Sequence, residues 1–314
     1  MNAPFPYFGG KREIAAEIWT RFGRVDNYVE PFAGSLAVLL ARPDEPKVET
    51  VNDLDGLLVN FWRAVAADPE AVARWADWPV SEADLHPRHY HLVARRDELT
   101  ERLIGDADYF DAKLAGWWVW GACQWIGSGW CSGEGPWRVK GGRLSKGTDL
   151  EGAGISRQIP HIARPRSTAS GVHQKIDIPK WFARLRDRLR HVTIACGDFR
   201  RVLSPGIFQH GKAAVFLDPP YAVGSDLYST APGAEDSRAW LAEWCVANAE
   251  ALRIAICGHA GEYNLPGWEA MPWKASGGYG NQGGEDADDN RHRETIWFSP
   301  ACLRLDTMPL FADL

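Results

Sequence analysis

A run of apolar residues, Ala213 to Leu217, ends directly in Asp218-Pro219-Pro220-Tyr221. No other junction constrains the chain as much. A short apolar run bounded by breaker residues suits a strand buried on both faces. The carboxyl ends of such strands are where open α/β sheets take ligands. Two consecutive prolines remove two backbone donors and fix two φ angles. What remains is a stiff turn offering a carboxylate, bare carbonyls and an aromatic ring. That set suits a planar exocyclic amine, which has two N–H bonds to donate and a ring to stack. Acceptors on both protons would push the nitrogen toward a nucleophilic state. A plain structural turn with an Asp cap would use the same letters.

The surroundings repeat the pattern. Residues 11–22 space Ile14, Ala15, Ile18 and Phe22 as a helix. Asn27–Glu30 is a short strand that ends in Pro31-Phe32-Ala33-Gly34-Ser35, and Leu36–Ala41 is a helix stopped near Pro43. Lys47–Val51 alternates as a strand before Asn52-Asp53, and a helix with Leu57, Leu58, Phe61, Trp62 and Val65 follows. After position 191 come strands at Val192–Cys196, Ala213–Leu217, Arg253–Gly258 and Glu294–Phe298, with a helix over Ser237–Leu252. This order predicts a doubly wound α/β fold with a mostly parallel sheet.

Between these halves the pattern breaks. Residues 67–110 read as helical and charged, with turns at Asp77–Pro79 and at His86-Pro87. Residues 116–154 hold 11 of the 31 glycines, and six of the 16 tryptophans lie between 117 and 137, so loops are expected there. From Trp137 to Val192 the chain carries 13 Lys and Arg against four acids, whereas the whole chain has a net charge of -6. Such a basic segment suits phosphates. It closes in a basic helix, Pro179–Arg190, whose arginines spread around the axis. The expected organisation is therefore 1–66 with 192–314 as one domain and 67–191 as an insertion. The tryptophans read as a small core, or Trp130 or Trp137 as a wedge into DNA.

Asp218-Pro219-Pro220-Tyr221, with Glu30-Pro31-Phe32-Ala33-Gly34-Ser35 and Pro6-Tyr7-Phe8-Gly9-Gly10-Lys11, resembles the Dam-type (D12 class) DNA adenine-N6 methyltransferases, in the family's order. The segment Arg293–Pro300 looks like the end of bacteriophage members. The resemblance implies a Rossmann-like methyltransferase sheet with an inserted target-recognition region, S-adenosylmethionine as cofactor and DNA, as a duplex, as partner. It implies Asp218, Pro219, Pro220, Tyr221 and Lys11 at the reacting amine of a flipped adenine. Around the cofactor it implies Tyr7, Gly9, Gly10, Lys11, Glu30, Pro31, Phe32, Ala33, Gly34, Asp53, Asp198, Phe199 and Asp218. Tyr228 is a weaker candidate for the base pocket. Bacteriophage and restriction–modification settings follow from the same likeness.

Alternatives stand beside this reading. Cytosine N4 is also an exocyclic amine and fits the same turn. A non-catalytic DNA-binding protein would retain the same shell. Gly34 would serve as a plain turn glycine and Asp53 as a helix N-cap. The six cysteines form no C-x-x-C, and His86, His89 and His91 with Cys123 and Cys131 fit no standard metal spacing, so no metal is expected. No signal peptide or membrane-spanning run is read, which points to the cytoplasm.

Overall fold

The computed structural model describes residues 1–7, 10–125, 130–131, 137–140, 143–146, 177–220, 234–273 and 294–304. Its centre is a seven-stranded sheet in the order β5-β2-β1-β6-β7-β9-β8. The strands are β1 (Asn27–Glu30), β2 (Val48–Asp53), β5 (Val192–Cys196), β6 (Ala213–Leu217), β7 (Arg253–His259), β8 (Glu269–Pro272) and β9 (Glu294–Phe298). β1 is parallel to β2 and to β6, and β6 is parallel to β7; β9 runs antiparallel to β7 and to β8. A separate antiparallel pair joins β3 (Trp137–Lys140) to β4 (Arg143–Lys146). The mixed α/β fold with a mostly parallel sheet agrees with expectation and is consistent with a methyltransferase Rossmann-like fold. β8 was not expected: its pattern is exposed and it ends in proline.

By internal contact the described chain forms two compact units. One gathers Met1–Gly10 and Asn52–Asp198; the other gathers Lys11–Val51, Phe199–Ser276 and Gly283–Leu314.

In the second unit, β1, β6 and β9 are buried at every position, as a sheet covered on both faces requires. The turn from Lys11 leads into α1 (Ala15–Phe22), and β1 leads into the short α2 (Ala37–Leu40). Arg21 on α1 is fully buried: it pairs with Glu269 of β8 and donates to the Leu303 carbonyl. The second half adds α8 (Ala234–Asn248).

The first unit is largely helical. It holds α3 (Gly56–Ala67), α4 (Pro69–Ala76), α5 (Glu82–Gly105), α6 (Ala112–Gln124) and α7 (Ile178–Leu189). Two expectations are corrected here. The chain does not turn at His86-Pro87: α5 runs through Pro87, inside the helix, and gives up one i→i−4 hydrogen bond there without ending. Residues 116–124 are not a loop but part of α6. Asp111 caps α6 by accepting from Leu114 N–H, and Gly116 and Gly121 serve close packing instead of chain reversal. A Cβ on Gly116 would meet the Trp75 side chain; one on Gly121 would meet the Trp130 ring. Trp130 is therefore part of a core, not a wedge: it packs on Trp125 and His89 and donates to the Trp118 carbonyl at 3.1 Å. Trp137 keeps its backbone in β3. On α7, Ile178, Phe182, Leu185 and Leu189 face inward while Arg184, Arg186 and Arg190 are exposed, so the helix is solvated on its basic side.

Candidate active site

The direction of strand addition reverses between β1 and β6. From β1 the chain moves outward to β2; it returns to add β6 on β1's other side. Asn27, Tyr28 and Val29 pair with Ala213, Ala214 and Val215, so β6 ends one residue beyond β1. The carboxyl ends at such a reversal diverge and leave a crevice for a ligand. Pro31–Gly34 leaves β1 at this end, and Asp218-Pro219-Pro220 leaves β6. Gly34 has φ +47°, the left-handed region that glycine enters without a Cβ clash. Pro31, Ala33, Gly34 and Pro219 are buried; Pro220 is half-buried. The Asp218 side chain is 24% exposed.

Lys11 reaches this corner from the turn before α1. Its ammonium, 2% exposed, lies 3.0 Å from Asp218 Oδ1 and 3.9 Å from Glu294 Oε2. It also sits 5.5 Å from the Trp273 ring centroid. Burial by itself pushes Lys11 down, but Asp218, with Cys257 and Glu294, outweighs it, and the group is held above its ordinary range. Register explains the cluster. Leu217 pairs with Ile256, which sets Asp218 beside Cys257, and His259 pairs with Glu294 across β7 and β9. Burial raises Glu294; Lys11 opposes the shift and Asp218 adds to it. Burial also raises the Cys257 thiol well above its usual value, with Asp218 adding to the shift.

Glu30 is fully buried. Burial raises its carboxyl well above the usual range, against the Tyr28 hydroxyl, which donates to Oε2 at 2.9 Å, and the Leu39 N–H. The side chain thus ties β1 to α2 as well as standing near Asp218. Phe32 is half-buried and lies 5.1 Å from Phe199, whose ring lies 5.6 Å from Trp240 on α8. Arg200 covers both Phe199 and Trp240 and donates to the Ser237 hydroxyl at 3.3 Å.

Tyr7, Gly10, Asp53 and Asp198 belong to the first unit. Tyr7 is 43% exposed, and its neighbour Phe5 is packed among Phe61, Trp62 and Trp118. Gly10 donates to the Tyr7 carbonyl at 3.2 Å. Asp53 ends β2 and accepts from Asp55 N–H; Asp55, not Asp53, caps α3 by accepting from Leu57 N–H, both at 3.0 Å. Gly197 is bound twice to this strand end, through its N–H to the Asp53 carbonyl and from Asn52 Nδ2 to its own carbonyl, both at 2.9 Å. Asp198 follows it and is exposed. Gly9, Tyr221 and Tyr228 lie outside the described residues. Among the described residues no three His, Cys, Asp or Glu side chains gather as metal ligands. His89 accepts from Cys131 N–H through Nδ1 and stacks on Trp125 instead.

Residues 7–103 match the family model of the D12 class N6 adenine-specific DNA methyltransferases. The matched stretch takes in the Tyr7–Lys11 segment, the turn at Gly34 and Asp53. Among curated proteins no relative matches the chain. No helix among the described residues is long and apolar enough to cross a membrane.

The sequence reading missed Cys257, Trp273, Glu294 and Trp240. Glu294 had one usable signal: an acid that opens a strand ending in Ile296, Trp297 and Phe298. Trp240 lies within the helix expected over Ser237–Leu252, and only its packing shows it beside Phe199.

Proposed function

We propose that the whole chain is a site-specific DNA methyltransferase of the D12 class, acting on adenine N6 of a base swung out of a duplex. The observation that carries this reading is the Asp218 carboxylate at the β1/β6 reversal, in one unit with the Gly34 turn and 3.0 Å from buried Lys11. The family match covers the first motifs but ends before Asp218, so the catalytic corner is an independent support.

The donor set fits S-adenosylmethionine. The Asp218 carboxylate suits a cation, and Phe32, Phe199 and Trp240 form an aromatic wall for a nucleoside ring. S-adenosylmethionine, when bound, supplies an electrophilic methyl group on a sulfonium. Gly34, Phe32 and Phe199 would hold it, with Asp53 on the ribose and Asp198 on its adenine. Asp218 and the Pro219 carbonyl accept the two N6 protons of the target and so orient the nitrogen lone pair. Lys11 fixes one oxygen of Asp218 by a charge-assisted contact. Tyr221 would stack on the base. Extrusion of the base is needed because a paired amine is out of reach of this turn. The basic segment between 137 and 192 would neutralise DNA phosphates, and Arg293–Pro300 supports a bacteriophage-like member.

The test is incubation with isotope-labelled cofactor and DNA of mixed sequence, followed by mass analysis of nucleosides. N6-methyladenine is the expected product, and it should vanish in Asp218→Ala while cofactor binding persists. N4-methylcytosine would change the acceptor. Unlabelled DNA would leave a binding protein only.

A further inference from the structure

The corner contains a charge that the reaction outlined above does not use. Glu294 opens β9, in the segment Arg293–Pro300, and antiparallel pairing to β7 sets it opposite His259. Its side chain is 11% exposed, and among the described residues Oε2 has no hydrogen-bond partner, with Lys11 Nζ 3.9 Å away. The Trp273 N–H donates to the Glu294 carbonyl at 3.0 Å, which fixes the start of the strand beside the Trp273 ring over Lys11.

Lys11 and Asp218 alone would form a neutral pair. An ammonium buried beside a sulfonium site is unfavourable unless further negative charge offsets it. We propose that Glu294 is a positioning residue: by sharing the Lys11 ammonium with Asp218, it leaves the corner with a surplus negative charge that selects a cationic sulfonium over the neutral thioether left after methyl transfer. This rests on the function proposed above and adds a residue and a property to it. Product release gains from the same feature, because the ligand loses its positive charge on sulfur while the corner keeps its own.

The experiment is calorimetric titration of S-adenosylmethionine and of S-adenosylhomocysteine into the full chain, without DNA and without turnover. The comparison includes wild type, Glu294→Gln, Glu294→Asp and the exposed control Glu250→Gln, each checked by thermal unfolding. Glu294→Gln should weaken the sulfonium ligand about tenfold and the thioether less than about twofold. Glu294→Asp keeps the charge and should retain most of the preference, and Glu250→Gln should match wild type. If Glu294→Gln does not fold, Glu294→Ala replaces it as the charge-removing variant, with the same expected loss of sulfonium preference of about tenfold. An equal loss for both ligands, or no loss, overturns the role of Glu294 and leaves the proposed function standing. Wild-type protein that binds neither ligand overturns the proposed function itself.

Discussion

The Tyr28 hydroxyl donates to Glu30 Oε2 at 2.9 Å, two residues apart along one face of β1. The alternation of a strand brings residues i and i+2 to the same side, so the sequence itself dictates this pair. It places a fully buried acid next to the turn that carries Gly34.

That acid makes stability depend on pH. Burial raises Glu30 well above its usual value near 4.5, with the Tyr28 and Leu39 donors only partly offsetting it. Above the unfolded value, the native state holds a proton that the unfolded chain has lost, so stability falls as pH rises toward the native value. Relative to Glu30→Gln, wild-type protein should therefore lose stability as pH climbs from 5 to 8 in urea titrations. A constant difference across this range would count against a buried protonated Glu30.

His89 has the opposite sign. Burial, followed by His86 and Arg96, lowers its imidazole from 6.5 to about 4. Between those values the unfolded chain binds the proton and the native state does not, so stability is lost as pH falls through the window. The loss should reach roughly 3 kcal/mol below it. His89→Gln should flatten the acid limb of the stability curve, read by tryptophan fluorescence, because the ring stacks on Trp125 at 4.6 Å.

Close packing at α6 predicts an uneven response to one added methyl. At Gly121 the three atoms nearest the new Cβ all belong to the Trp130 ring, a side chain, and the cost should be about 1–3 kcal/mol. At Gly116 it would also lie 2.7 Å from the Val72 carbonyl oxygen and 3.0 Å from the Trp75 carbonyl carbon, where backbone must move. Gly116→Ala should thus destabilise more than Gly121→Ala in thermal unfolding.

Asp53 and Asp55 should separate function from stability. Asp55→Ala removes the cap of α3 and should cost about 1 kcal/mol with little change in cofactor affinity. Asp53→Ala should weaken cofactor binding about tenfold or more, at a smaller cost in stability. Calorimetry and melting on both variants check the pair.

Much of the sheet was legible because its strands are short apolar runs with clear stops, as at Val215–Asp218. Helix α6 was not, because glycines that allow Trp75 and Trp130 to approach look like loop glycines in one dimension. Pro87 misled because a proline inside a helix costs one hydrogen bond without always ending the helix. The site was legible where a motif sits at a strand's end, at Gly34 and Asp218. It was not legible at Cys257 and Glu294, whose roles come from register across β6, β7 and β9 and leave no local mark. Asp53 shows the same limit, since the choice between cap and strand-end acid depended on where α3 begins.

Lys11 comes early in the chain, β6 much later, and Glu294 with the last strand. During synthesis the ammonium therefore exists long before either carboxylate. Folding its segment early would bury a cation without counter-charge, which is strongly unfavourable. The long separation between β1 and β6 adds loop-closure entropy to the same delay. Lys11 in ribosome-tethered chains should therefore stay reactive toward amine-modifying reagents until Asp218 has emerged.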